Sequence, residues 1–211
     1  MLHMIDLGIS NLRSVINAFQ RVGVEVRVSS EPGDIADAPA LVLPGVGAFE
    51  EAVNAMTAKG LADLIRSRAD SGVPLLGICL GMQLLAEESF ENGRYRGLGL
   101  IRSDVRRLES SSPKFRIPNI GWCDTRPTRG GALFPEDVGP ETFYYVHSYH
   151  MCCSNPADVA AVMDFSGQEV TVAVERDNIF GVQFHPEKSQ DAGLDLIERF
   201  VGHLQSSGAL A

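Results

Sequence analysis

Short apolar runs separated by stretches of helical periodicity constrain this chain more than any other feature. Leu2 to Leu7, Ala40-Leu41-Val42-Leu43 and Val73 to Ile78 are nearly continuous in apolar residues and short, the pattern of parallel strands buried on both faces. Val24-Glu25-Val26-Arg27-Val28 alternates, as a strand with one wetter face does. Between the strands, Leu12, Val15, Ile16, Phe19 and Val22 recur at helical spacing, with Asn11 placed to cap the helix and Gly23 to end it. Phe49, Ala52, Val53 and Met56 predict a second helix, and Leu61, Leu64 and Ile65 a third after Gly60. Glu31-Pro32-Gly33-Asp34 reads as a turn and Met82 to Glu88 as a further helix. Strand and helix alternate through residue ~90, which predicts a doubly wound α/β sheet, open and mainly parallel.

The pattern then changes. Leu98 to Ile101, Phe143 to Ser148, Val159 to Met163, Val170 to Val174 and Ile179 to Phe184 are short β-like runs parted by Gly and Pro, so an antiparallel β extension is expected. Leu194, Ile197, Phe200, Val201 and Leu204 lie on one face of a closing helix from about Gly193 to Leu204. No linker, repeat or low-complexity tract divides the 211 residues, and residues 1–211 are expected to form a single domain.

Composition removes several function classes. The net charge is −9 with both signs mixed along the chain, so the concentrated basic surface that nucleic acid requires is missing. The longest apolar stretch, Val73 to Ala86, is too short to span a bilayer and is broken by Gly77, Gly81 and Gln83. The first residues show no leader pattern. Cys79, Cys123, Cys152 and Cys153 match neither a disulfide framework nor a zinc site, so a reducing, cytoplasmic setting with free thiols is expected.

One of those thiols sits in a particular frame. Gly77-Ile78-Cys79-Leu80-Gly81 joins an apolar strand to a helical run, the context of a nucleophile elbow, where a sharp turn lifts a nucleophile above the sheet. A free cysteine is commonly a small buried hydrophobe, but flanking glycines between strand and helix favour the reactive reading. The Leu80 N–H at that turn would face a developing oxyanion. A thiol nucleophile needs a base, and among His3, His147, His150, His185 and His203 the best placed is His185, which follows the run Ile179 to Phe184 where an α/β sheet presents catalytic groups. Pro186 stiffens the turn, and Glu187, two residues on, can share a face with His185 and orient its imidazole.

With these residues in place the chain resembles the class I (triad-type) glutamine amidotransferases, and among them the glutaminase subunits of imidazole glycerol phosphate synthase. The segments that carry the likeness are Asn11 to Val15, Leu43-Pro44-Gly45-Val46-Gly47-Ala48-Phe49, Leu76 to Leu85, Gly97 to Ile101, Val146-His147-Ser148-Tyr149 and Gly181 to Ser189, in order along nearly the whole chain. The resemblance implies a flavodoxin-like amidotransferase fold and a Cys79–His185–Glu187 triad that passes through a γ-glutamyl thioester. It implies an oxyanion hole from Val46, Gly47 and Leu80, completed by a peptide flip near Val46, and glutamine held by Gly45, Gln83, Ser148 and Tyr149. It implies no cofactor and no metal. The implied partner is a HisF-type (β/α)8 cyclase subunit, met near Asn11, Asn119, Trp122 and Lys188, with ammonia passed to it to convert PRFAR to imidazole glycerol phosphate and AICAR.

The sequence departs from that pattern at Leu7 and Ser10, where tyrosine and glycine are usual, at Cys123, where asparagine is usual, and at His150. None belongs to the triad. They bear on the ammonia acceptor, which these residues leave open between PRFAR and a sugar substrate of surface-polysaccharide synthesis; a non-catalytic regulatory module is the reading from another class.

Overall fold

Residues 1–9 and 12–210 are described by a computed structural model. The first half alternates as its sequence predicts: β1 (Leu2–Ile5), α1 (Leu12–Arg21), β2 (Val26–Ser29), α2 (Pro32–Ala36), β3 (Leu41–Gly45), α3 (Phe49–Ala58), α4 (Leu61–Asp70), β4 (Leu75–Cys79) and α5 (Leu80–Leu84). The second half is strand-rich: β5 (Glu88–Ser89), β6 (Tyr95–Arg96), β7 (Ser103–Arg107), β8 (Asn119–Pro127), β9 (Glu141–His147), β10 (Tyr149–Cys153), β11 (Val159–Phe165), β12 (Gln168–Arg176), β13 (Ile179–Val182) and the closing α6 (Gln190–Ser206).

The strands form a mixed sheet whose main path runs β2-β1-β3-β4-β13-β12-β10-β7-β5-β6, with β11, β8 and β9 branching from β12. From β2 through β13 all pairings are parallel, and β12 begins the antiparallel part. This is the expected α/β architecture. Alternate residues of each parallel strand enter opposite cores. Leu2, Met4, Val42, Leu76 and Ile78 pack with Val15 and Phe19 of α1 and with Leu196, Phe200 and Leu204 of α6. Ile5, Leu41, Leu43 and Leu75 pack on the other face with Phe49, Met56, Leu61 and Ile65. No helix among the described residues is long and apolar enough to cross a membrane.

Four local expectations change. The Glu31–Asp34 turn is the entry to α2, with Pro32 in its first turn. The helix expected over Met82–Glu88 begins at Leu80 and ends at Leu84. Leu98–Ile101 is not a strand. One cause explains the last two: the Leu98 N–H donates to the Leu84 carbonyl, Leu100 and Ile101 to Leu85, and Gly99 to Ala86, so this buried irregular segment satisfies the carbonyls at the end of α5. Finally, β7 and β8 had no apolar run to announce them. The helix cap assigned to Asn11, like the departure at Ser10, lies outside the described residues.

Candidate active site

Strand β4 ends at Cys79 and α5 begins at the next residue, so the elbow has no loop to relax in. Cys79 adopts φ 55°, ψ −111°, a conformation that non-glycine residues avoid. The flanking glycines are steric requirements. A Cβ on Gly77 would sit 2.5 Å from the Gly81 carbonyl oxygen, and one on Gly81 would sit 1.7 Å from the Leu43 carbonyl oxygen of β3. Helix α5 is thus pressed onto β3 and β4, which sets the direction in which Cys79 points.

His185 reaches the same place from β13, the strand directly beside β4 in the parallel sheet, where Gly181 pairs with Gly77 and Val182 with Ile78. Its backbone N–H donates to the Tyr144 carbonyl of β9 at 2.9 Å. Ser189 fixes the turn: its hydroxyl donates to the His185 carbonyl at 2.6 Å and accepts the Tyr144 N–H at 2.9 Å. Glu187 lies in the short 3₁₀ turn Pro186–Lys188, and its Oε1 is 2.8 Å from His185 Nδ1, with both side chains buried. That contact leaves Nε2 for the thiol. Burial works against the imidazolium, but the hydrogen bond and charge of Cys79, and then those of Glu187, prevail and raise the His185 pKa to about 9.

A pocket of about 290 Å³ opens over these groups, lined by Val46, Gly47, Cys79, Leu80, Gln83, Glu91, Ser148, Tyr149 and His185 among others. The residues expected at the oxyanion hole and around the substrate therefore converge on one cavity, apart from Gly45. Gly45 lies directly beneath: it pairs with Cys79, and a Cβ there would come 3.0 Å from Leu80 Cβ. Gly47 has φ +103° and Val46 is partly exposed, so the strand after Pro44 leaves β3 in a conformation that depends on glycine.

Of the residues expected to meet a partner, Trp122 stands half-exposed on β8, paired with Tyr144 of β9 and two residues from Ile120, which pairs with Val146, a small apolar face. Lys188 lines the pocket itself. Asn119 differs from the expectation. Its side chain turns inward, 9% exposed, with Nδ2 3.1 Å from His147 Nε2, so it lies behind that face rather than on it.

Three residues escaped the sequence reading. Glu91, the only acid lining the pocket among the described residues, accepts the Phe49 N–H at 2.8 Å and so also satisfies a free donor at the start of α3. Gln183 is fully buried, with its amide Nε2 3.8 Å from Cys79 Sγ. Ser189 is the third. Gln183 and Ser189 flank His185-Pro186-Glu187 in sequence, and that adjacency was the available signal. Among the described residues no group of three or more His, Cys, Asp or Glu side chains is arranged to hold a metal ion.

The profile of the class-I glutamine amidotransferases matches residues 3–204. The chain is 44% identical to the imidazole glycerol phosphate synthase subunit HisH of Moorella thermoacetica, over 97% of both chains. It is 45% identical to subunit HisH 2 of Nitrobacter winogradskyi, over 94% of this chain and 96% of that one. Subunit HisH of Chlorobium luteolum is 42% identical, over 95% of this chain and 99% of its own. Among solved structures, one described as a glutamine amidotransferase superposes with a TM-score of 0.74 at 20% identity, covering 98% of each chain. PurLQS from Thermotoga maritima gives 0.74 at 18% identity, over 96% of this chain and 98% of that one. At those identities the two structures speak for the fold.

Proposed function

The chain belongs to the class-I glutamine amidotransferase family, and from that premise we propose that it is the glutaminase subunit of an imidazole glycerol phosphate synthase. The observation that carries the chemistry is the strained Cys79 elbow facing the buried His185–Glu187 pair across one pocket. In this reading Cys79 Sγ attacks the side-chain carbonyl of glutamine. His185 keeps the thiol's proton and gives it to the departing ammonia, while Glu187 holds the imidazole through Nδ1. The Leu80 N–H and a peptide of the Val46–Gly47 segment stabilise the oxyanion, the latter after the reorientation its glycine permits. Water then enters, with His185 as base, and frees glutamate from the γ-glutamyl thioester. Glu91 supplies a carboxylate to meet the substrate's α-ammonium, and Gln83, Ser148 and Tyr149 help to hold the bound glutamine. The chemistry needs no cofactor.

The destination of ammonia is read from the relatives' shared name and from the apolar face of β8 and β9, where Ile120 is 61% and Trp122 48% exposed. The partner is a HisF-type cyclase subunit acting on PRFAR in the cytoplasm. Of the departures from the family pattern, Leu7 is buried in the core, Cys123 contacts Asn119 and His150 contacts Cys152; none lines the pocket. They therefore leave the glutamine chemistry untouched.

The test is glutamine turnover with and without a cyclase subunit and PRFAR. Turnover should rise when both are added, and Cys79→Ala should reduce it to background. Activity persisting in that variant refutes the triad. Turnover that ignores PRFAR but answers to a sugar-modifying enzyme refutes the synthase assignment.

A further inference from the structure

A line of buried polar groups runs behind the nucleophile. Asn119 Nδ2 lies 3.1 Å from His147 Nε2, and His147 Nδ1 lies 2.9 Å from the Tyr149 carbonyl oxygen. Gln83 Nε2 donates to that same carbonyl at 3.0 Å and to Gln183 Oε1 at 2.9 Å. Gln183 Nε2 ends the line, 3.8 Å from Cys79 Sγ. Gln83 is 5% exposed, His147 6% and Gln183 0%.

The line has a fixed direction because its middle is a backbone carbonyl, which only accepts. His147 must present N–H at Nδ1, so its neutral ring accepts from Asn119 at Nε2. Burial holds that ring neutral, pushing its pKa down to about 4. Gln83 must present its amide nitrogen to Tyr149, and its second N–H is then the one that meets Gln183. Gln183 is thereby turned so that its own nitrogen faces sulfur. Rotating it by half a turn would set amide nitrogen against amide nitrogen and a carbonyl against Cys79, leaving buried groups unpaired.

We propose that Gln183 is a positioning residue for Cys79, its amide N–H held against the sulfur by Gln83 and the Tyr149 carbonyl. The assignment rests on the glutaminase reading and extends it. As negative charge gathers on sulfur, a donor already aimed at it from the core needs no reorganisation, and bonds to charged acceptors are the stronger kind. A merely structural Gln183 would satisfy Gln83 and leave the reactivity of Cys79 untouched.

Gln183→Met keeps length and apolar volume, removes the donor to sulfur together with the acceptor for the second Gln83 N–H, and leaves the Gln83–Tyr149 bond in place, so a KM that holds while kcat falls separates the two losses. With glutamine and the cyclase partner, kcat should fall about tenfold or more while KM stays within about twofold, since the loss is felt in the transition state. Alkylation of Cys79 by iodoacetamide at fixed pH should slow in step. In the unmodified protein, alkylating Cys79 should move the Gln183 side-chain amide resonances in a ¹⁵N–¹H spectrum, a measurement that needs no variant to fold. Unchanged kcat and alkylation rate, or amide resonances blind to modification of the thiol, overturn the proposal. Absence of glutamine turnover in the unmodified protein would instead count against the glutaminase reading, and the alkylation and spectral results would still judge Gln183.

Discussion

At the scale of single residues, the site is built from groups held where they would not rest by themselves. Cys79 at φ 55° carries strain on the order of 1–3 kcal/mol. Glycine tolerates that conformation, so Cys79→Gly should be more stable than Cys79→Ala by about 1 kcal/mol, even after the extra freedom glycine gives the unfolded chain. Urea unfolding of the two variants checks this; an alanine variant as stable as the glycine one would mean the elbow is unstrained. Two of the buried histidines, His147 and His185, set opposite pH limits. His147, whose folded pKa falls to about 4 because burial disfavours its charge, binds a proton more readily when unfolded. Its stabilisation is complete above 6.5 and is lost as pH falls toward 4, a difference of about 3 kcal/mol. His185 is raised to about 9, so its contribution is complete below 6.5 and is lost as pH rises through 9. Unfolding midpoints should therefore weaken on both sides of pH 6.5, with His147→Gln flattening the acid limb and His185→Asn the alkaline one; limbs unchanged in these variants would contradict the assignment. The proposed triad was legible in sequence because its signals are local: glycines around a cysteine, and a His-Pro-Glu turn after a strand. Gln183, Glu91 and Ser189 were not, because their partners are Cys79, Phe49 and Tyr144, distant along the chain.

At the scale of elements, the position of α5 decides where Cys79 points, and Gly81 decides the position of α5. Gly81→Ala would drive a methyl group into the Leu43 carbonyl, and β3 has strands on both sides to keep it from yielding. The cost should reach about 3 kcal/mol or more, visible in urea unfolding and in lost glutamine turnover. A variant of native stability would show that α5 can slide, contrary to the packing described. The parallel strands and the long helices could be read from sequence because burial on both faces, or on one stripe, writes a periodic pattern. Strand β8, Asn119–Pro127, could not. Its residues are mostly polar or small, and it is extended because β9 pairs along one side and β11 along the other. The short α5 is similar, ended by carbonyls that Leu98–Ile101 takes up from a segment that reads as a strand.

At the scale of the molecule, the parallel part of the sheet carries the chemistry and the antiparallel part carries the face of Ile120, Trp122 and Val146. An aromatic anchor amid aliphatic neighbours is the usual centre of binding energy. Trp122→Ala should therefore weaken association with the proposed cyclase subunit by about 30-fold or more, while the isolated protein keeps its unfolding midpoint. Titration by calorimetry checks this, and an unchanged affinity would move the interface elsewhere. That same side chain is the chain's single tryptophan, half open to water and edge-on to Tyr144. Its near-ultraviolet emission therefore comes from one known place. A companion that covers β8 should shift that emission to shorter wavelength in proportion to the fraction bound, so the protein carries its own optical gauge of assembly, with no label to disturb the surface being measured.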